Sequence, residues 1–480
     1  MLAGTPVLSV RRLPTWVETV AAEQHLRSTL ATVVPPAELS PANANGCVVV
    51  TQGSQILYST NGTEPLIPAS TMKLLTATAV LDRLGASDRL VTQVLGEQAP
   101  EHGVIYGNLY LVGGGDPLLR TSSYAGSQYP PQPLYTSLNQ LALQVRRAGI
   151  TEVTGSVVGD ESRYDDERTV ATWKPIYTTE GDVGPLSALD VNDGFVPKPP
   201  PPPPPPAPKK GTKTPPTTTP TTSPTTTPAT PSTTASSTAS EFAYDAAADP
   251  PATAAAAFMK LLGQDGVRVE GGSTSGTAAS GSTLVTSIAS APIGQEIDQM
   301  LNVSDDTAAE LFTKELGYKQ TGSGTTAAGT AAIRADLAAD GFPVAQLVNV
   351  DGSGLDRGDR ASCDLIVDAL RRAGTTGVIA AGLPVAGKSG TLVDRMLGTP
   401  AAGRLHAKTG TLDGVVGLSG FVTPTSSSAP VADLRQPVIF SIILNGASGN
   451  ADQTLADSIG VALSRYPQVA PLASVAPRAG

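Results

Sequence analysis

Histidine, cysteine and aromatic residues are scarce in this 480-residue chain. The three histidines, His25, His102 and His406, do not have the spacing of a zinc-binding motif, and no motif calls for a metal or another cofactor. No apolar run is long enough to cross a bilayer, and the N-terminal stretch lacks the uninterrupted apolar core of a signal peptide. Taken literally, the chain is predicted to be cytoplasmic, unless its start is assigned wrongly.

Positive charge is also in deficit. The chain has 32 Lys and Arg against 42 Asp and Glu, a formal net charge of −10. This balance argues against nucleic acid or an anionic membrane surface as a partner. The two cysteines, Cys47 and Cys363, could form one disulfide, but the simpler prediction is two separate buried thiols. The length predicts about three domains.

The pattern along the chain alternates between helices and short strands. Helical periodicity appears at 15–34, 68–85 and 289–317, and strand-like segments precede the last helix. Helices at both ends with antiparallel strands between them predict an α+β domain. A Pro/Thr-rich segment at about 197–240 cannot form a packed core, and fits either a surface loop or a glycosylated tether.

A serine and a lysine open the apolar helix predicted at 68–85, PASTMKLLTATAVLDRLG. Residues three apart share a helix face, so Lys73 is predicted to lie beside Ser70. A serine hydroxyl becomes a strong nucleophile when a base removes its proton, and a lysine is that base only when burial or a second cation lowers its pKa. A helix N-cap is the alternative role for Ser70. Of the eleven lysines, only Lys73 has a serine three residues before it.

A second cation is available in RLHAKTGTLDGVVGLSGFV, where Lys408-Thr409-Gly410 begins an apolar strand pattern. Such a strand can lie along the helix of Ser70, and its exposed backbone N–H groups can bind an oxyanion. Lys388 in AGKSGTL is a competing candidate. Lys408 is preferred because a strand pattern follows it directly.

Three motifs in this order resemble those of the penicillin-binding proteins and serine β-lactamases: Ser70-x-x-Lys73, Ser304-Asp305-Asp306 and Lys408-Thr409-Gly410. The flanking sequences resemble one branch, the class C penicillin-binding proteins, which are D-alanyl-D-alanine carboxypeptidase/endopeptidases. The similar segments extend over nearly the whole chain and are LIPASTMKLLTATAVLDRLG, LYLVGGGDPLL, VVGDESRYD, PLSALDVNDGFV, MLNVSDDTAAELF, VDGSGLDRGDRAS, LPVAGKSGTL and GTPAAGRLHAKTGTL.

The resemblance implies a penicillin-binding, transpeptidase-like α+β fold. Its catalytic domain would comprise residues 1–90 and 288–480, with a large strand-rich inserted region at 91–287 between the first and second motifs. It also implies that the partners are peptidoglycan peptides and β-lactams, with no metal or other cofactor, and that the location is outside the cytoplasmic membrane. This location conflicts with the absence of a visible signal peptide.

The resemblance also implies a role for each motif residue. Ser70 would be acylated after Lys73 takes its proton, and Ser304 would relay that proton to the leaving amine. The backbone N–H groups of Ser70 and Thr411 would form the oxyanion hole. The substrate carboxylate would be bound by the motif that comprises Lys408, Thr409, Gly410 and Thr411.

One position departs from the family pattern, because Asp306 stands where the second motif ends in asparagine. An amide both donates and accepts hydrogen bonds, whereas an ionised carboxylate only accepts. It also stabilises a charged lysine and so opposes the role of Lys73 as a base.

The leading hypothesis is a serine D,D-peptidase of peptidoglycan, with the balance between carboxypeptidase and endopeptidase activity left open. A catalytically weak wall-binding or scaffold protein is the alternative, with Asp306 as the defect. A β-lactamase is a third hypothesis, against which the long insertion argues.

Overall fold

The computed structural model describes residues 13–34, 45–127, 132, 134–198, 244–423, 436–446 and 450–467. From residue 199 onward, the predicted Pro/Thr-rich segment lies outside these ranges. Among the described helices, none combines the length and the apolar composition that crossing a bilayer requires.

The described helices are, in chain order, α1 (Leu13–Val33), α2 (Lys73–Arg83), α3 (Ser122–Ala125), α4 (Leu138–Arg147), α5 (Ile176–Thr179), α6 (Pro250–Gln264), α7 (Ile293–Val303), α8 (Asp306–Thr321), α9 (Thr326–Ala339), α10 (Cys363–Ala373), α11 (Val378–Gly382) and α12 (Asn450–Leu463). The strands are β1 (Gly46–Gln52), β2 (Gln55–Thr60), β3 (Val91–Gly96), β4 (Val104–Ile105), β5 (Leu109–Val112), β6 (Leu119–Arg120), β7 (Thr136–Ser137), β8 (Glu152–Val153), β9 (Val157–Asp160), β10 (Phe195–Pro197), β11 (Tyr244–Ala246), β12 (Arg268–Val269), β13 (Ser273–Ser275), β14 (Thr283–Ala289), β15 (Leu405–Leu412), β16 (Val415–Val422) and β17 (Val438–Asn445).

The two ends of the chain build one antiparallel sheet in the order β15-β16-β17-β1-β2. Both faces of this sheet are covered. Side chains alternate between the faces of a strand, so Cys47 and Val49 of β1 pack on one core while Val48 and Val50 pack on another. The first core includes α2 and α7–α11, and the second includes α1 and α12. This burial on both faces explains why β1 is apolar along most of its length rather than alternating.

The strands between residues 91 and 289 form sheets of their own. A mixed five-stranded sheet has the order β13-β9-β5-β3-β14, and a small parallel sheet has the order β12-β8-β4. Helices α4 and α6 pack on these strands around a separate apolar core centred on Leu141 and Phe258. The middle of the chain therefore has an apolar core of its own, apart from the two cores that cover the sheet formed by the chain ends.

The prediction of one continuous helix at 68–85 is wrong at its start. Residues Ala69–Met72 form a 3-10 turn, and α2 begins only at Lys73. Ala69 has a left-handed backbone with φ of 48°, which a residue other than glycine seldom adopts. This conformation separates the turn that carries Ser70 from the preceding chain.

The prediction of two separate thiols is also wrong. Cys47 and Cys363 form a disulfide that joins β1 of the sheet to the first residue of α10, with a Cα–Cα distance of 6.1 Å. Both cysteines are buried in the core that contains α2. Two residues so distant in sequence become neighbours only because α10 packs across β1.

Candidate active site

Ser70 lies in the 3-10 turn Ala69–Met72, immediately before α2, and lines a cleft of about 1080 Å³. The residues around it are buried in the core, as Met72, Leu74 and Leu75 are almost fully inaccessible to solvent. The apolar body of α2 thus anchors the turn, and only its polar edge faces the cleft.

Lys73 is fully buried and donates three hydrogen bonds. Its Nζ lies 3.0 Å from Ser70 Oγ, 2.8 Å from the Ser353 carbonyl oxygen and 2.5 Å from Asp306 Oδ1. These three acceptors match the three N–H donors of an ammonium group. Of the three acceptors, the Asp306 carboxylate makes the shortest contact.

Ser304 lies at a break between two helices. It ends α7 with a left-handed backbone, φ 65°, and Asp305 then caps α8 by accepting a hydrogen bond from the Ala308 N–H. Asp306 is the first residue of α8. The prediction of helix across 289–317 holds on either side of this break, which turns Ser304 and Asp306 toward the cleft that Ser70 lines.

Lys408 of β15 joins the second and third motifs. Its Nζ donates to Ser304 Oγ and to the Thr409 carbonyl oxygen, both at 2.8 Å. Like Lys73, it is fully buried. Two hydroxyl–lysine pairs, Ser70 with Lys73 and Ser304 with Lys408, therefore meet at one cleft, which the two serines line.

Gly410 lets β15 approach the turn that carries Ser70. A Cβ at this position would lie 2.9 Å from the Pro68 carbonyl oxygen and 3.3 Å from the Ser70 nitrogen. Its strand partner Gly417 is equally close to the turn, with a Cβ position 2.9 Å from Thr71 Cγ2. Two glycines opposite each other thus make the space into which the turn fits.

The outer edge of β15 faces the cleft over its second half. The N–H groups of Leu405 and Ala407 point away from β16, to the carbonyl groups of Ala401 and Pro384. Alternate residues of an antiparallel strand direct their N–H groups to the same side. The N–H groups of Thr409 and Thr411 therefore point to the side where both residues line the cleft.

Burial dominates the electrostatics of the site. It lowers the pKa of Lys408 well below its ordinary range, and the nearby Lys73 ammonium adds to this effect while Asp306 opposes it. Burial raises the pKa of the Asp306 carboxyl, against the opposing effect of the Lys73 and Lys408 ammonium groups. The contact between Lys73 and Asp306, at 2.5 Å, has the geometry of an ion pair.

The structure adds two contacts that no sequence motif indicated. The Ser353 carbonyl accepts from Lys73, and the Thr391 hydroxyl lies 2.7 Å from the Thr409 hydroxyl. Thr391 follows Lys388 in the competing GKSGT segment, so this segment contributes to the site through its threonine. Among the described residues, no cluster of His, Cys, Asp and Glu side chains has the arrangement of a metal site.

Comparison with known proteins identifies the family. Residues 26–466 match the profile of the D-Ala-D-Ala carboxypeptidase 3 (S13) family. The chain belongs to this family. It is 32% identical over 478 residues to the D-alanyl-D-alanine carboxypeptidase of Actinomadura sp., an alignment that covers 92% of this chain and 85% of that protein. A carboxypeptidase of Mycobacterium tuberculosis is 27% identical over 90% of this chain and 83% of its own length.

The fold comparison agrees with the family assignment. Penicillin binding protein 4 of Haemophilus influenzae superposes with a TM-score of 0.66 at 19% identity, over 87% of this chain and 95% of that chain. The predicted penicillin-binding α+β fold and the predicted serine D-Ala-D-Ala carboxypeptidase class are both confirmed. As an S13 peptidase, the protein is a cell-wall hydrolase.

Proposed function

We propose that Ser70 is the nucleophile of this S13 peptidase and that Lys73 is the base that activates it. The hydrogen bond of 3.0 Å between the buried Lys73 Nζ and the Oγ of Ser70, which lines the cleft, supports this assignment most directly. Once the buried lysine is neutral, its lone pair takes the serine proton as Oγ attacks the carbonyl carbon between two D-alanine residues.

Acylation breaks the C–N bond and needs a proton on the leaving amine. Ser304 is placed to deliver it, because its hydroxyl faces the cleft and accepts a hydrogen bond from Lys408 at 2.8 Å. The proton taken from Ser70 passes through Lys73 and Ser304 to the amine, so the net result is an ester on Ser70 and a free D-alanine.

The oxyanion that forms on the scissile carbonyl is assigned to the backbone N–H groups of Ser70 and Thr411. The alternation of N–H directions along β15 supports the role of Thr411, and the close approach of Gly410 to the Ser70 nitrogen brings the two donors together. Removing one such donor from an oxyanion hole typically costs about 10²–10³ in kcat.

The terminal carboxylate of the substrate is assigned to Lys408, Thr409 and Thr411. Burial lowers the pKa of Lys408, and an incoming substrate carboxylate favours the charged form of this lysine. Thr409 and Thr411 add hydroxyl donors on the same strand.

The proposed substrates are peptidoglycan peptides that end in D-Ala-D-Ala, with β-lactams as covalent inhibitors. A related protein, penicillin binding protein 4 of Haemophilus influenzae, has been crystallised with a β-lactam, with a TM-score of 0.61 to this chain. The proposed location is outside the cytoplasmic membrane, where the substrate occurs. The disulfide between Cys47 and Cys363 supports it, because disulfides persist in oxidising compartments.

We also propose the division into a catalytic domain, 1–90 and 288–480, and an inserted region, 91–287. The separate sheets and the separate core of β3 to β14 support it. An ion network joins the two parts: buried Arg120 of β6 contacts Asp193 at 2.9 Å and Asp305 of the second motif at 3.6 Å.

A weakly catalytic wall-binding protein is the second candidate, and the ion pair between Lys73 and Asp306 favours it. The test is release of D-alanine from a peptide ending in D-Ala-D-Ala, by the wild type and by Ser70→Ala. We expect release that Ser70→Ala abolishes. Absence of release from the wild type, together with retained binding to peptidoglycan, would support the second candidate.

A further inference from the structure

Asp182 is an acidic residue of the catalytic cleft that belongs to none of the three motifs. Its segment is attached to the catalytic helix α8, because the Gly184 N–H donates to Thr307 Oγ1 at 3.0 Å. Thr307 follows Asp306 directly in the chain. Val183 is fully buried and packs in an apolar cluster that includes Leu311 of α8 and Leu355. The backbone on one side of Asp182 is therefore held firmly, while its side chain is exposed toward the cleft that Ser70 lines.

The charges around Asp182 are those of the catalytic site. Although solvent reaches its side chain, the partial burial by the cleft walls raises the pKa of Asp182 to about 6, and Asp306 of α8 and Glu180 of its own segment add to the rise. The Lys73 ammonium of α2 opposes it. Across the same cleft, Asp413 is paired with Lys174. Asp182 thus lines the same cleft as Ser70 and Asp306, two residues before the Gly184 N–H that donates to Thr307.

Hydrolysis of the acyl-enzyme requires a base for the attacking water. The catalytic carboxylate Asp306 is engaged by Lys73, which also donates to Ser70 and to the Ser353 carbonyl. Asp182 is a carboxylate of the same cleft that stands outside this set of contacts. We propose that Asp182 is the general base that activates the water for deacylation of Ser70. This inference rests on the acyl-enzyme proposed above.

The water oxygen forms a bond to the acyl carbon as its proton passes to the Asp182 carboxylate. Collapse of the tetrahedral intermediate breaks the bond between the acyl carbon and Ser70 Oγ, and Lys73, which has first taken up a proton from solvent, donates that proton to Oγ and is neutral again. Asp182 releases the proton of the water to solvent, so the step consumes one water and leaves every side chain in its starting protonation state.

The test is the lifetime of the acyl-enzyme formed with penicillin, measured by intact mass in the wild type and in Asp182→Asn. Since general base catalysis contributes typically 10²–10⁴-fold, we expect deacylation to slow by about 100-fold or more. The acylation rate is expected to stay within about twofold, because Asp182 takes no part in the attack of Ser70. The wild-type deacylation rate should rise with pH through about 6, since the deprotonated carboxylate is the active form, and Asp182→Asn should lose this rise.

The matched control is Glu180→Gln, which removes a neighbouring carboxylate of the same cleft. At a pH well above 6, where Asp182 is ionised with or without this neighbour, it should leave the acyl-enzyme lifetime unchanged. Full labelling of Asp182→Asn by penicillin shows that the variant is folded and that Ser70 still reacts. A fully labelled Asp182→Asn with the wild-type lifetime overturns the inference, and so does a slower acylation without slower deacylation. Failure of the wild type to be labelled would instead contradict the proposed role of Ser70.

Discussion

The buried Lys73 donates to a hydroxyl, a carboxylate and a backbone carbonyl. The carboxylate is the unusual partner, because Asp306 occupies the position where the second motif of the penicillin-binding proteins ends in asparagine. A carboxylate favours the ammonium form of its partner, whereas an amide is neutral. The residue at 306 is therefore expected to affect how readily Lys73 acts as the proposed base.

Replacement of Asp306 by asparagine is expected to speed the reaction. We expect Asp306→Asn to move the rising limb of the pH–rate profile for acylation by penicillin to lower pH. Each pH unit of this shift should raise the acylation rate at neutral pH by roughly tenfold. The restored amide donor also improves substrate positioning by an amount on the order of 1 kcal/mol. Acylation rates measured against pH for both proteins check this.

Asp413→Asn is the control for the change at Asp306. Asp413 is a carboxylate of the same cleft that pairs with Lys174 rather than with Lys73. Its replacement should leave the pH–rate profile unchanged. If Asp306→Asn is no faster than the wild type at any pH, the carboxylate does not restrain Lys73 and this interpretation is wrong.

The sequence was sufficient to single out side chains that the fold brings together, since Ser70, Lys73 and Lys408 lie in motifs whose order and flanks resemble those of the family. It could not identify Ser353 or Thr391 as contacts. Ser353 contributes a backbone carbonyl, which every residue type has, and Thr391 lies in a segment whose lysine appeared to be the relevant feature.

The 3-10 turn Ala69–Met72 and strand β15 are the two elements that pack against each other at the centre of the site. The apolar pattern after Lys73 predicted α2 correctly, but the positive φ of Ala69 has no sequence signature, since alanine is a good helix former. Gly410 and Gly417 leave room for this turn, because a larger residue at either position would collide with it.

Replacement of Gly410 by alanine is expected to separate the strand from the turn. The new Cβ would lie 2.9 Å from the Pro68 carbonyl oxygen, so one of the two elements has to shift. Small displacements in an oriented site are costly, and we expect acylation by penicillin to slow by roughly tenfold or more.

Gly272→Ala serves as the control for Gly410→Ala, because no atom lies within 4 Å of a Cβ built at Gly272. It should acylate at the wild-type rate with unchanged stability. Wild-type acylation by Gly410→Ala would show that the close approach of β15 does not position Ser70.

At the scale of the whole molecule, the two ends of the chain together form one antiparallel sheet. The helices and the apolar strands of both ends could be predicted from their periodicity. The pairing of Cys47 with Cys363 could not, because 316 positions separate them and only the packing of α10 on β1 brings them together. The order of the strands in the sheet is likewise set by long-range packing rather than by local pattern.

The disulfide is expected to contribute strongly to stability. A double variant, Cys47→Ser with Cys363→Ser, should lose about 2–5 kcal/mol of the free energy of unfolding. Chemical denaturation with and without a reductant measures this, and the double variant should be insensitive to the reductant. Detection of two free thiols in the native protein would contradict the pairing.

The most direct test of the proposed mechanism is the intact mass of the protein after exposure to penicillin, followed by peptide mapping. We predict an increase by one penicillin molecule, located on Ser70, and no increase in Ser70→Ala. An unchanged mass in the wild type, or the same increase in Ser70→Ala, would contradict the assignment of Ser70 as the nucleophile.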